Sequence, residues 1–342
     1  MLSRVAQRLY WIGRFIENAE NLTRILDVYR QMDLEKSGYD DIDVWTPILQ
    51  ITESLDFYKS LHPEVSEREV VDFLLFSEEN PHSTISSVFQ ARESAKNIRN
   101  NLSEEIWLHL NVMYHGLKSM TLDQNRVQKL DEFHNQILVF CNCFHGLVDN
   151  SMIQAQGWQW LRLGRYYQRA ITTVNILKIK YFILLPSLDD VGSPVDLHQW
   201  MALLKAASAH EAYRRIHQAR IDPVLVADLL VNTGNFPRSI AYSVDQVNLA
   251  LSSIAKATNH SSSKVLFTLD RLRELLHYSG GMTKVFGQGY KEYLDEILKE
   301  LTELQELVDQ NYFNSLKISR DRGSDFSLDL RQLQQQQQQS RL

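Results

Sequence analysis

From Leu2 to Arg30, apolar residues recur every three or four positions: Val5, Leu9, Ile12, Ile16, Ala19, Leu22, Leu26 and Tyr29. This is the stripe of an amphipathic helix. Ser3 can act as its N-cap, with Leu2 before it as a hydrophobic staple. A second stripe lies roughly a quarter-turn away, at about 100° per residue. It carries Tyr10, Gly13, Glu17, Glu20 and Arg24, with Arg14 at its edge. Gly13 costs about 1 kcal/mol against Ala in a helix interior, which suggests close approach of another backbone or a ligand. The charged stripe has two readings. It is a solvated face laced with i,i+3 and i,i+4 ion pairs, or a partly buried carboxylate–guanidinium cluster.

The same periods run on down the chain. An acidic, turn-prone loop spans Asp33 to Asp43, and helices are predicted over about Val44–Leu61 and Ser66–Phe76. Asn80-Pro81 reads as the N-cap and first residue of a helix reaching about Asn101. Ser103 opens another, with Glu104 and Glu105 at its positive end, and one more spans about Leu122–Val148.

The pattern then repeats. Trp160–Ala170 matches Leu9–Ala19 at a constant offset of 151, with Gly164 on Gly13, Arg165 on Arg14 and Ala170 on Ala19. Tyr58 and His62 face Tyr213 and His217, Asp72 faces Asp228, and Pro81-His82-Ser83 faces Pro237-Arg238-Ser239. The offset drifts only to 156, as a few loop insertions would cause. The expected architecture is therefore all-α, a tandem-duplicated bundle of about twelve helices. Its pseudo-symmetric units span 1–150 and 151–318. The polar remainder, 319–342, ends in Gln334–Gln339 and has the composition of a disordered tail.

Composition narrows the classes. The chain has 342 residues, 44% hydrophobic and 23% charged, enough for a large core. A net charge of −6 without a long basic run argues against nucleic acid. No apolar run approaches a membrane span, and Arg4 and Arg8 interrupt any signal-peptide core. A soluble, cytoplasmic protein is expected. Two cysteines, Cys141 and Cys143, make no disulfide framework.

Candidate chemistry follows from the repeat. The second copy has Gln168, Ile171 and Asn175 where the first has Glu17, Glu20 and Arg24. A polar site is therefore placed on the first helix. Arg92, Lys96 and Arg99 share one face of the helix after Asn80, and Arg92 and Arg99 would meet Glu17 and Glu20 if that helix packs on the first. Ser83 and Ser239, the latter beside Arg238, open helices whose free amides can hold a phosphate or carboxylate; a well-capped helix start is the plainer reading. Cys141, Cys143, His134 and His145 look like metal-ligand material, but residues two apart on a helix point apart. Buried cysteines and no metal are expected. His62 and His217 read as capping or loop residues. No phosphate loop, HExxH, nucleophile elbow or paired CxxC is present.

These residues resemble the alpha-E domain family, bacterial all-helical proteins of unknown function. The resemblance runs to about Leu316. It rests on Leu9 to Glu20 with Arg24, on Asn80-Pro81 with Ser83, Arg92, Glu93 and Arg99, and on Ser103, Glu105 and Trp107. Gly157-Trp158, Gly164-Arg165 and Phe236 to Ser239 complete it. The chain departs from the family at Asn18, where an Arg usually follows the first Glu, and at Gln168-Arg169, where an acidic-basic pair is usual. The resemblance implies association with circularly permuted ATP-grasp proteins and transglutaminase-like proteins that make, modify or cleave peptide-like amides. It carries over Arg14, Glu17, Glu20, Arg24, Arg92, Glu93 and Arg99 as family-typical positions. Two functions are then expected in order: a helical partner, scaffold or peptide-binding component, with no cofactor of its own; and an enzyme using Glu17, Glu20, Arg92, Glu93 and Arg99 for acid/base work.

Overall fold

The computed structural model describes residues 1–34, 43, 45–121, 129–182, 193–218, 220–258, 262–277 and 281–313. Among them are fifteen α-helices and no strand. The first set is α1 (Ser3–Leu34), α2 (Trp45–Ile51), α3 (Leu55–Leu61), α4 (Glu67–Leu75), α5 (Thr84–Lys96), α6 (Glu104–Thr121) and α7 (Leu130–Ser151). The second is α8 (Gln156–Phe182), α9 (Pro194–Ala206), α10 (His210–His217), α11 (Pro223–Asn232), α12 (Ile240–Thr258), α13 (Ser263–Leu276), α14 (Gly281–Gln288) and α15 (Tyr290–Tyr312). No described helix is long and apolar enough to cross a membrane. The tail expected over 319–342 lies outside the described residues, as does most of the loop from Asp33 to Asp43.

The all-α class stands, with more helices than the twelve expected, for local reasons. The helix expected over Val44–Leu61 is two, α2 and α3, broken at Glu53, whose φ of 54° is left-handed. Ser54 N–H bonds the Leu49 carbonyl at 2.9 Å and Glu53 N–H that of Gln50 at 3.1 Å, a Schellman closure. The helix expected from Pro81 starts later. Ser83 is the N-cap, accepting from Ser86 N–H. Asn80 instead fixes the turn before it, accepting from His82 N–H at 3.0 Å and donating to the Phe73 carbonyl at 3.3 Å. That helix ends at Lys96, and Arg99–Asn101 forms a separate 3₁₀ turn. Ser3 is not the N-cap of α1: the helix includes it, the Leu2 carbonyl takes the first amides, and Leu2 is too exposed to staple.

The centre of the molecule is the crossing of α1 and α8. Leu9, Ile12, Ile16 and Leu26 are completely buried, as are Ala170, Val174 and Leu177. The crossing is as close as Gly13 implied. A Cβ at Gly13 would collide with the carbonyl oxygen of Leu161 and stand 3.0 Å from Arg165 N. A Cβ at Gly164 would collide with the Tyr10 carbonyl. The obstruction is backbone in both cases and cannot swing aside.

That contact is reciprocal, since Leu161 and Gly164 are the sequence counterparts of Tyr10 and Gly13. The same parallel recurs elsewhere. α1 packs on α5 and α7, and α8 on α12 and α15; α2 reaches α8, and α9 reaches α1. Ser208, between α9 and α10, repeats the left-handed Glu53 with φ 50°, and Ala209 N–H repeats the closure onto Leu204 at 2.7 Å. Tyr58 lies against His62, and Tyr213 against His217. Two copies of one unit about an approximate twofold would give such a pattern.

Candidate functional site

The polar stripe of α1 faces α8 rather than solvent. Glu17 is 0% exposed and Glu20 1%. Arg169 of α8 takes both Glu17 oxygens, Nε to Oε1 at 2.7 Å and Nη2 to Oε2 at 2.8 Å. Asn21 donates to Glu17 Oε1 at 3.1 Å. Arg238, just before α12, donates to Glu20 and, at 2.8 Å, to Asn21. Arg24 closes onto Glu20 at 3.1 Å, one turn along α1. Arg165 stands 3.7 Å from Glu17. His145 of α7 places Nε2 3.6 Å from both carboxylates, beyond hydrogen-bond reach. Four guanidinium groups thus surround two carboxylates.

Burial opposes ionisation of Glu17, but Arg169 outweighs it and holds the carboxyl at about 2. Burial opposes Glu20 as well; His145 and the Arg238 charge hold it well below the usual carboxylate range. Burial, then the Arg165 charge, depress the His145 imidazole. Glu17, Glu20 and His145 present metal-type donors within 4.8 Å of one another. The donor set nevertheless fits an ion-pair network better than a metal site. Both Glu17 oxygens and Glu20 Oε1 are occupied by arginine, and a cation would sit among four guanidinium groups. Cys141 is buried at its edge, Sγ 3.7 Å from the Ile16 carbonyl, and its thiol is pushed up by burial and the two glutamates. Cys143, expected to be buried, is exposed.

The sequence reading needs correcting on three points. First, Arg92 and Arg99 do not meet Glu17 or Glu20. α5 does pack on α1, but through a face of small and apolar residues that includes Thr84 and Ser87. Arg92 bonds Asn111 at 2.8 Å and Glu93 at 2.7 Å, and it lies 4.8 Å over the Tyr114 ring. Arg99 lies 5.3 Å over Trp107. Second, α8 and the turn before α12 contribute Arg165, Arg169 and Arg238, so the site is not confined to the first helix. Third, Ser83 and Ser239 are spent as caps. Their hydroxyls donate to the carbonyls of Ser77 and Thr233, both at 2.6 Å, and accept from Ser86 and Tyr242 N–H. Arg14 also stands apart, its fork on Gln168 Oε1 at 3.0 and 2.8 Å, with Gln305 beyond it at 2.6 Å. His145 was passed over with the CxCxH pattern. Its position one turn beyond buried Cys141, on the same face, was the available signal.

Positions 14, 17 and 18 therefore meet their counterparts crosswise. Arg165 and Arg169 face Glu17, while Arg14 and Asn18 face Gln168, the last pair at 3.4 Å. One side of the seam pairs a carboxylate with two guanidinium groups, and the other sets a single guanidinium on an amide. Beside the charged side opens a cleft of ≈ 290 Å³. His145, Gly13 and, from the cluster itself, Arg165 line it. Its walls carry Trp158, Arg162, Arg165, Tyr166, Tyr242 and Asp149.

A family model, Alpha-E, described as "a predicted alpha-helical domain with a conserved ER motif", matches residues 1–313. The chain belongs to the Alpha-E family. Three relatives, one from Mycobacterium bovis and two from Mycobacterium tuberculosis strains, are each 20% identical over 313 residues and are named as uncharacterized proteins. The match covers 86% of this chain and 35% of each relative, so this chain spans about a third of their length. No solved structure matches it. In this Alpha-E chain, Glu17 is followed by Asn18, and Arg169 is preceded by Gln168. A glutamate and an arginine from the two copies meet across the seam instead.

Proposed function

We propose that this Alpha-E chain is a duplicated helical module, 1–150 and 151–318, serving as the scaffold or peptide-binding component of a system that makes or modifies peptide-like amides. Its partners in this reading are a circularly permuted ATP-grasp protein and a transglutaminase-like protein, which supply the catalysis. The observation that carries it is the state of Glu17. It is wholly buried, ionised, and bonded through both oxygens. Such a group joins two helices; it has no proton to give and no exposed oxygen to offer a substrate. The acid/base alternative needed Arg92 and Arg99 beside Glu17 and Glu20, and these residues lie elsewhere. They line a half-exposed face with Trp107, next to Leu108 and Val112, which are 58% and 52% exposed. Arginine and tryptophan beside exposed aliphatic residues are the composition of a protein contact. The added length of the mycobacterial relatives also suits a module that works beside other domains.

The test is a pull-down of the tagged protein from its own cells at moderate salt, with mass spectrometry of what it retains. Recovery of an ATP-grasp protein, lost in an Arg92→Ala/Arg99→Ala variant of unchanged melting temperature, is the expected result. Turnover of a peptide by the isolated chain, abolished in a folded Glu20→Gln variant, would overturn the reading.

A further inference from the structure

The cleft beside the cluster has the features of a receptor for a small molecule of both charges. We propose that it binds a zwitterion the size of a dipeptide, its carboxylate on Arg162 and Arg165 and its amine at Asp149. This deepens the peptide-binding reading above and rests on it for its biological sense; the binding itself is a property of the cleft.

Charge is the first argument. The cluster behind the cleft holds two more guanidinium groups than carboxylates, and a buried imbalance of this sign favours an anion. Arg165 brings that charge to the cleft wall, its Nε turned to Glu17 at 3.7 Å while the residue lines the cleft. Arg162 lies 5.0 Å over Trp158 and donates to Gln246. Stacking on one face leaves part of a guanidinium edge free for a planar carboxylate. His145, 8% exposed, lines the same cleft and has no hydrogen bond on Nε2. Asp149 stands at the rim, where one oxygen accepts from Trp158 Nε1 at 3.1 Å. Its charge repels a polyphosphate and suits an ammonium.

Size and surface narrow the ligand further. A volume of ≈ 290 Å³ corresponds to about ten waters at roughly 30 Å³ each and falls just below the usual range for drug-sized ligands. That volume suits a dipeptide better than a nucleoside triphosphate, whose phosphates Asp149 would also repel. Phe144, Val148 and Leu161 offer an apolar wall for one side chain.

The experiment is saturation-transfer NMR and calorimetry on the full chain, using Ala-Phe, its C-terminal amide, its N-acetyl form and inorganic phosphate as probes. Ala-Phe should bind. Amidation should weaken it about tenfold or more, the scale of one charge-assisted contact. Arg162→Gln should cause a similar loss without shifting the melting temperature, because Arg162 lies outside the ion-pair cluster. Asp149→Asn should remove the preference for the free amine over the N-acetyl form. Absence of binding at millimolar dipeptide, equal binding of acid and amide, or phosphate binding as well as Ala-Phe would each overturn the proposal. Capture of an ATP-grasp partner without dipeptide binding would overturn this inference alone; binding without a partner would count against the partnership alone.

Discussion

Two carboxyls on the central helices respond to burial in opposite ways. Asp309 of α15 is pushed up to about 6 by burial, which the nearby Arg14 only partly offsets. Glu17 is more completely removed from water, yet Arg169 holds it at about 2. The consequences for pH have opposite signs. The stability that Glu17 contributes is present above its unfolded pKa and is lost as pH falls from about 4.5 towards about 2. Ionised Asp309 opposes folding, so its contribution is present below about 4 and lost as pH rises through about 6. Asp309→Asn should therefore be more stable than the wild type at pH 8, by about 1–3 kcal/mol. The gap should close below pH 4. Urea unfolding at the two pH values checks this, and a gap that widened in acid would contradict it. The sequence offered a partly buried carboxylate–guanidinium cluster as one of two readings of the stripe that carries Glu17, but it did not name the arginine partner and gave no sign of Asp309. Only the packing partner distinguishes a charged group facing arginine from one facing tyrosine rings.

The sequence was most informative at the level of the helix. The apolar period located α1, and Gly13, poor in a helix interior, pointed to the close approach that the Leu161 carbonyl makes. Gly13→Ala should destabilise the chain by about 3 kcal/mol or more, since overpacking against backbone outweighs the helix propensity gained. Gly116→Ala on α6, with nothing within 4 Å of the added carbon, should instead stabilise it by about 0.5–1 kcal/mol. Thermal melts of the two variants distinguish close approach from mere propensity; a stable Gly13→Ala protein would mean α1 and α8 can separate freely. Helix ends were less legible. Asn80-Pro81 has the letters of a helix start, yet the hydroxyl of Ser83 supplies the cap. Glu53 and Ser208 adopt a left-handed backbone with no glycine to announce it.

Across the whole molecule, comparing the two copies in register gave the repeat and misplaced the site. Residues 168, 171 and 175 lack the charges of 17, 20 and 24, which made the second copy look dispensable. α1 and α8 meet crosswise, so Glu17 meets Arg169 while Gln168 meets Asn18. A register comparison reports what each position has become, not which position it touches. The central claim is that Glu17 and Arg169 form a lock between α1 and α8, and that a neutral amide pair is tolerated at the corresponding positions, where Gln168 and Asn18 meet at 3.4 Å. The most direct test is urea unfolding of Glu17→Gln, Arg169→Asn and the double variant at pH 7. Each single change leaves a buried charge without its partner and should cost about 3–5 kcal/mol. The double variant should be more stable than either single one, with a coupling of at least about 2 kcal/mol. Additive losses, or singles as stable as the wild type, would show that the pair is no lock and would return Glu17 to the candidates for chemistry.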